Sequence, residues 1–501
     1  MNIRFIFVLL LLSVLNFSVQ NYADELPDKN LLRKQNILFI AIDDLRDWTG
    51  YSAGHPQVKT PSLDRLAASG AAFTRSYCAS ACCNPSRTAL LTGLRPSETG
   101  VYLNSDDWRI IVSPNVVTLQ EHFQQNGYKT LGAGKIYHGS YPAKTGWDDY
   151  LIQNRKLFTN NVTSTKRNKE GDNDQYLDGV GGIKFQPLDV TDEQMEDYHI
   201  VQYGIDELNK KHDKPFFLAV GLHKPHMPWN VPKKYYDLYP PDNIVLPEVF
   251  EDDLNDLPPE GIKFAKPDGD HAAILKSGRW KYAVQGYLAA ITFCDTQIGR
   301  LLDAFEKSPY SNNTIVVLWS DHGWHHGEKS HWRKFAMWEE ANRAPLIWRV
   351  PGLTQAGTKI ETPIDLTHIY PTLCDLTGIS KPKQELSGKS IRPLLEGNTG
   401  GNTNGNADGN INKTEPAAVM TYGYKNHAVR TEQWRYIRYE NGGEELYDES
   451  RDPLEWTNLA AQQEFTKIKT DLAQFLPQTN KPPQPKPTPT ENKPNLKKKQ
   501  K

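Results

Sequence analysis

Four short polar clusters stand where apolar runs of the chain stop. Asp43 and Asp44 follow the run 36–42, and Lys135 and His138 follow the weaker run 129–134. His223, Lys224, Pro225 and His226 follow 216–222, while Ser320, Asp321, His322 and Gly323 follow 314–319. Their types divide chemical work among them. Carboxylates are oxygen ligands for a hard divalent cation, histidines move protons near neutral pH, and lysines set positive charge against an anion. Taken singly each signal is weak, because a loop Asp more often caps a turn and a Lys more often faces water. Four clusters at four run ends point to one site.

The runs themselves say how such a site is built. Six or seven consecutive apolar residues bounded by polar ones mark a strand buried on both faces. Helical patterns intervene at 61–67, 117–123 and 282–305. Strands alternating with helices predict an α/β fold, a large mostly parallel sheet flanked by helices. Ligands of such sheets bind at the carboxyl ends of the strands, where the four clusters stand.

A fifth segment, Cys82-Cys83-Asn84-Pro85-Ser86-Arg87-Thr88-Ala89-Leu90-Leu91-Thr92-Gly93, reads locally as a loop entering a helix, with Pro85 early and Gly93 closing it. Adjacent cysteines also suit metal binding, but no Cys/His pair at zinc spacing accompanies them. Cys83-x-Pro85-Ser86-Arg87, continued by Leu90-x-Thr92-Gly93, resembles the signature of the type I, formylglycine-dependent sulfatases of the alkaline phosphatase superfamily. The resemblance runs from about Asn36 to Ala460. It is most similar to the iduronate-2-sulfatase-like branch, on Gly134-Lys135-Ile136-Tyr137-His138, on His223-Lys224-Pro225-His226-Met227-Pro228, and on Ser320-Asp321-His322-Gly323-Trp324 with Gly327-Glu328 and Trp332-Arg333-Lys334. Choline-sulfatase-like enzymes share several of these features.

The resemblance implies a sulfuric ester hydrolase of alkaline-phosphatase-like fold. It implies that Cys83 is oxidised to formylglycine by a maturation enzyme, and that one oxygen of its hydrate attacks sulfur while the other later expels sulfate. Asp43, Asp44, Asp321, His322 and residue 83 would hold one divalent cation, Ca²⁺ being favoured and Mg²⁺ or Mn²⁺ the alternatives, although a nitrogen ligand such as His322 is unusual for calcium. Lys135 and Lys334 would bind the sulfate oxygens and Arg87 would fork onto the diol. His138 would act as base and His226 as the acid for the leaving oxygen, with His223 structural. Competing readings are a choline-sulfatase-like enzyme, a phosphonate or phosphodiester hydrolase of the same superfamily, and a non-catalytic sugar-binding relative. Trp108, Arg109, Trp229, Trp324, His325, His326, Trp332 and Arg333 surround the run ends and suit a sulfated sugar, such as a fragment of ulvan, carrageenan, fucoidan or a glycosaminoglycan.

The remaining chain sets the context. With 501 residues and 38% hydrophobic content there is enough to bury a large core. Fifty-eight basic against 60 acidic residues argue against nucleic acid as partner. Residues 5–15 form an apolar run after Arg4, too short to span a bilayer and sized like the core of a signal peptide. Residues 1–23 are therefore expected to be a signal peptide, giving an exported, periplasmic or secreted protein without an integral membrane segment after cleavage. A catalytic domain is expected over 24–396, a flexible Gly/Asn-rich insert over 397–415, and a small antiparallel α+β subdomain over 416–476, where His427 and Arg430 are further pocket candidates. Residues 477–501, with seven Lys, one Glu and seven Pro, are expected to form a disordered tail carrying +6, leaving −8 on the body.

Overall fold

The computed structural model describes residues 35–151, 179–397 and 416–484. The expected signal peptide, the insert beyond residue 397 and the tail beyond residue 484 lie outside the described residues. Eight strands form the main sheet: β1 (Asn36–Asp43), β2 (Ala71–Phe73), β3 (Lys129–Gly134), β4 (Asp149–Leu151), β5 (Phe216–Pro225), β6 (Thr314–Ser320), β7 (Leu346–Arg349) and β8 (Thr358–Ile360). Their spatial order is β8-β2-β7-β6-β1-β5-β3-β4. Only β7 runs against its neighbours; every other pairing is parallel.

The continuous apolar run of β1 is explained by its central place. Side chains alternate across a strand, so Ile37, Phe39 and Ala41 join one core layer while Leu38, Ile40 and Ile42 join the other. Among the helices, α1 (Pro61–Ser69), α4 (Glu196–Asn209) and α5 (Trp280–Lys307) pack on the second layer. On the first lie α2 (Cys83–Thr92), α3 (Leu119–Gln125) and α6 (Ile369–Thr377). The pattern expected from residue 117 starts at Leu119 instead. Thr118 is the N-cap, and the Glu121 carboxylate closes a capping box onto its backbone N–H at 2.9 Å.

Four antiparallel strands, β9 (Ala418–Thr421), β10 (His427–Arg430), β11 (Trp434–Arg438) and β12 (Glu444–Asp448), form the C-terminal sheet. It is covered by α7 (Thr466–Ala473), through Leu472 against Val429, Trp434 and Leu446. The expected disorder from Pro477 does not hold for residues 477–484. The Lys481 N–H donates to Ser97 O at 2.7 Å, its carbonyl accepts from Tyr102 Oη at 2.7 Å, and its ammonium donates to Ile111 O at 3.0 Å. Composition alone could not show that this one lysine finds three partners.

The two parts are joined by a buried ionic cluster. Arg435 on β11 is fully buried; it contacts Glu339, Glu449 (3.2 Å) and Glu455, and donates to Met337 O at 3.1 Å. Removing one partner from such a cluster leaves uncompensated buried charge. An Arg435→Met variant is expected to lose about 3–5 kcal/mol of stability, read as a lowered urea midpoint; an unchanged midpoint would show the three carboxylates to be neutral in the fold.

Candidate active site

The carboxyl ends of β1, β3, β5 and β6 converge as expected, and the amino end of α2 closes on them. Asp43 ends β1, and Asp44 follows in a left-handed conformation (φ 61°), which Asp tolerates better than most residues. Two contacts hold that turn. The Asp44 N–H donates to Asp321 Oδ1 at 3.0 Å, and its carbonyl accepts from Tyr287 Oη at 2.8 Å. Cys82 is the N-cap of α2 and Cys83 its first residue, and every residue of this helix is buried. Asn104 steadies the entry, accepting from the Asn84 N–H at 2.9 Å and lying 3.1 Å from Cys82 Sγ. Sequence reasoning missed both Tyr287 and Asn104. Neither has a local signal, since one lies in an ordinary helical pattern and the other in a polar loop.

Cys83 Sγ lies 3.0 Å from Lys334 Nζ, 3.3 Å from His322 Nε2 and 3.7 Å from Asp44 Oδ1. The Lys334 ammonium also donates to Asp44 Oδ1 at 2.7 Å, and Lys135 pairs with Asp43 Oδ2. Burial would raise the Asp43 carboxyl, but Lys135 and the other neighbouring cations hold it well below the usual carboxylate range. Burial pushes the Cys83 thiol well above its ordinary value against the pull of Lys334, so it stays a thiol. His322 Nδ1 is 2.9 Å from Gly323 O. A carbonyl only accepts, so Nδ1 carries the proton and Nε2 turns its lone pair toward Asp44 (3.3 Å) and Asp321 (3.6 Å).

His138 and His226 stand at the rim. Burial and the neighbouring Lys135 lower His138 to about 4, and its Nδ1 is buried without a hydrogen-bond partner. Burial lowers His226 to about 3 in spite of Asp44, whose Oδ2 is 3.7 Å from Nε2. Its Nδ1 hydrogen-bonds Met227 O, so Nε2 presents a lone pair. In its neutral form His226 thus offers Nε2 as a proton acceptor, and the expected role as acid requires a proton to be taken up there first. His223 lies beside Asp197, 3.5 Å from Oδ1, in a structural position.

A sulfatase family model matches residues 35–379, and a model described as N-sulphoglucosamine sulphohydrolase, C-terminal, matches residues 327–482. The chain belongs to the sulfatase family. It is 38% identical over 465 residues to a sulfatase of Formosa agariphila, covering 89% of this chain and 87% of that one. It is 32% identical over 396 residues to iduronate 2-sulfatase of Homo sapiens, covering 69% of this chain and 70% of the relative. Among solved structures, a phosphonate monoester hydrolase of Agrobacterium radiobacter matches with a TM-score of 0.72 at 22% identity, over 88% of this chain and 94% of that one, and shares the fold. The protein is thus a sulfuric ester hydrolase of the alkaline phosphatase superfamily.

Several expected contributors to the sulfatase site lie elsewhere or act differently. Among the described residues, the hydrogen bonds of Arg87 go elsewhere than residue 83. Its Nε donates to Asp321 Oδ2 (2.8 Å), Nη2 to Asp43 Oδ1 (3.0 Å) and Ile42 O (3.3 Å), and Nη1 to the carbonyls of Lys135 and Ile136. All five guanidinium N–H groups are committed to the protein, so Arg87 orients carboxylates. Trp229, Trp324, Trp332, His325 and His326 are buried in the core, as is Trp108, whose indole N–H donates to Tyr141 O. Arg109 pairs with Asp107 and Arg333 with Asp270. His427 is buried against Thr421, and Arg430 pairs with Glu449 at 3.2 Å. Each of these aromatic and cationic residues near a strand end thus packs in the core or pairs with a carboxylate.

The donor set fits a cation. Ligand atoms of Asp44, Cys83, Asp321 and His322 lie within 4.8 Å of one another, as do those of Asp43, Asp44 and His226. Asp44 Oδ2 is buried with no hydrogen-bond partner, an orphan that a cation would satisfy. Since Arg87 fixes two of the carboxylates from behind, an Arg87→Lys variant is expected to bind divalent cation about 10–100-fold more weakly. Calorimetric titration of chelator-treated protein with Ca²⁺ checks this; wild-type affinity in the variant would remove Arg87 from the site.

Proposed function

We propose that this sulfatase removes sulfate from a hydroxyl of a sulfated sugar, with residue 83 matured to formylglycine and a divalent cation, Ca²⁺ in preference to Mg²⁺ or Mn²⁺, held by Asp43, Asp44, Asp321 and His322. The observation that carries the reading is the shared ammonium of Lys334, in contact with both Cys83 Sγ and Asp44 Oδ1. One cation thus faces the nucleophile's position and a cation ligand at once. The buried thiol is a poor nucleophile as it stands, which suits a precursor. A formylglycine hydrate would supply paired hydroxyls for attack at sulfur and later release of sulfate, and the cation would acidify the attacking one.

The chain's own residues do the rest. Lys135 and Lys334 place positive charge where the sulfate oxygens sit, the preorganised electrostatics that lower barriers in a water-poor site. Breaking the bond from sulfur to the sugar oxygen leaves an alkoxide that needs a proton. His226 can supply it only after first taking one up at Nε2. His138, uncharged above about pH 4, can accept the proton released from residue 83. A sugar substrate is supported by the similarity to a relative named for iduronate sulfate. Export is supported by the apolar run 5–15, and no helix among the described residues is long and apolar enough to cross a membrane.

Mass spectrometry of the peptide containing Cys83, from a host with the maturation enzyme, is expected to show the aldehyde or its hydrate. An unmodified thiol in active enzyme would sink the mechanism. Release of sulfate from a panel of sulfated oligosaccharides tests the substrate class, and turnover of phosphonate esters alone would exclude it. A Cys83→Ser variant is expected to fold without turning over, because a single hydroxyl cannot expel sulfate.

The pH dependence follows from His138. A base with a lowered pKa stays unprotonated into acid, so the acid limb of kcat/KM due to this group should fall only below about pH 4. His138→Ala should cost about 10²–10⁴ in kcat and remove that limb; a limb that persists in the variant belongs to another group.

A further inference from the structure

Lys334 reaches Cys83 and Asp44 from a loop whose backbone takes an unfavoured path. Lys329 (φ 56°), Ser330 (φ 48°), Arg333 (φ 85°) and Phe335 (φ 76°) are all left-handed. Residues with a Cβ avoid this region, and such conformations persist where surrounding contacts over-determine them. None of the four is Gly, Asn or Asp, so local preference cannot hold the loop. The holding contacts come from elsewhere in the fold.

His331 is buried between two backbone carbonyls, with Nδ1 2.9 Å from Ala265 O and Nε2 2.8 Å from the carbonyl oxygen of Lys334 itself; burial favours the neutral ring, whose single N–H donates to one of the two at a time. Lys329 is also buried, and its ammonium bonds Asp253 Oδ1 and the carbonyl of Glu455, which follows the C-terminal sheet. The Phe335 N–H donates to Ala81 O at 3.0 Å, two residues ahead of Cys83. Neither the His331 ring nor the Lys329 ammonium touches the ligand cluster. Both grip the backbone on which Lys334 is carried.

We propose that His331 and Lys329 are positioning residues that hold the 329–335 loop so that the Lys334 ammonium meets the sulfate at residue 83. Through Glu455, the C-terminal part then takes part in sulfate binding without touching the anion. The inference rests on the reading of Lys334 as a sulfate contact. A purely structural role for the two residues would reduce the folded fraction and leave the affinity of folded protein alone.

The test uses matured, cation-loaded protein titrated calorimetrically with inorganic sulfate, together with kcat/KM on a sulfated sugar that the panel identifies. His331→Ala and Lys329→Met are each expected to weaken sulfate binding about tenfold or more, as loss of an orienting partner does at bound-ion sites. His331→Gln and Lys329→Arg, which keep donors, should recover most of it. In a Lys334→Ala background the same two substitutions should change kcat/KM less than about twofold, because the group they position is gone. Wild-type affinity in both single variants, or equal losses with and without Lys334, overturns the proposal. If His331→Ala does not fold, Lys329→Met carries the same comparison, with Lys329→Arg as its rescue. A Lys334→Ala variant that binds sulfate normally removes the sulfate reading of Lys334 and this proposal together, whereas a strong Lys334→Ala defect beside inert His331 and Lys329 variants removes the positioning alone.

Discussion

The arrangement depends on one buried guanidinium. Arg87 joins the end of β1, through Asp43, to the end of β6, through Asp321, and ties both to the carbonyls that follow β3. Two unit charges 4 Å apart interact by about 4 kcal/mol at an effective dielectric of 20, so the guanidinium between Asp43 and Asp321 offsets a repulsion that buried carboxylates would otherwise feel. Buried ion pairs are poor sources of net stability, because desolvation offsets the attraction. Holding these carboxylates together is therefore better explained by the cation proposed to bind them than by what they add to the fold.

From that constraint the sheet follows. A strand buried on both faces has nowhere to put a charge except at its ends, and β1 with β5 and β6 delivers Asp43, Asp44, His226, Asp321 and His322 at the same edge. The helix α2 must be buried along its whole length to place Cys83 at its first turn and Arg87 one turn later on the same side, which its spacing allows. The wall behind Lys334 is aromatic, with the ammonium 5.4 Å from the Trp324 ring. A low-dielectric wall strengthens every charge interaction in front of it, so these rings serve the site without lining it for a sugar.

Much of this was legible in the chain. Continuous apolar runs in β1, β5 and β6 specify buried parallel strands, and such strands put function at their carboxyl ends, so Asp43, Asp44, His226, Asp321 and His322 could be located from pattern alone. Cys83 and Lys334 needed a longer motif, because a buried thiol and a surface lysine have the same local signal as reactive ones. The direction of a side chain was not legible. Arg87 turns inward because Asp43 and Asp321, far away in sequence, meet at one point, and no spacing along the helix encodes that. Trp229, Trp324 and Trp332 were misplaced for the same reason, and Lys481 shows the converse, a docked residue inside a composition that reads as disordered.

The charges at the site refine what an acidic body with an anionic substrate requires. Asp43, Asp44 and Asp321 are offset one for one by Arg87, Lys135 and Lys334. His138 and His226 are uncharged near neutral pH, since burial depresses both. The protein part of the site is thus close to neutral, and a dispersed negative charge of the body beyond a Debye length of about 10 Å is largely screened. In the proposed reading, the excess positive charge felt by a sulfate would then be supplied by the divalent cation that this donor set fits. The lysines would then orient the anion and the carboxylates would hold the cation, so each set of charges would have a separate task even though the two sets share contacts atom by atom.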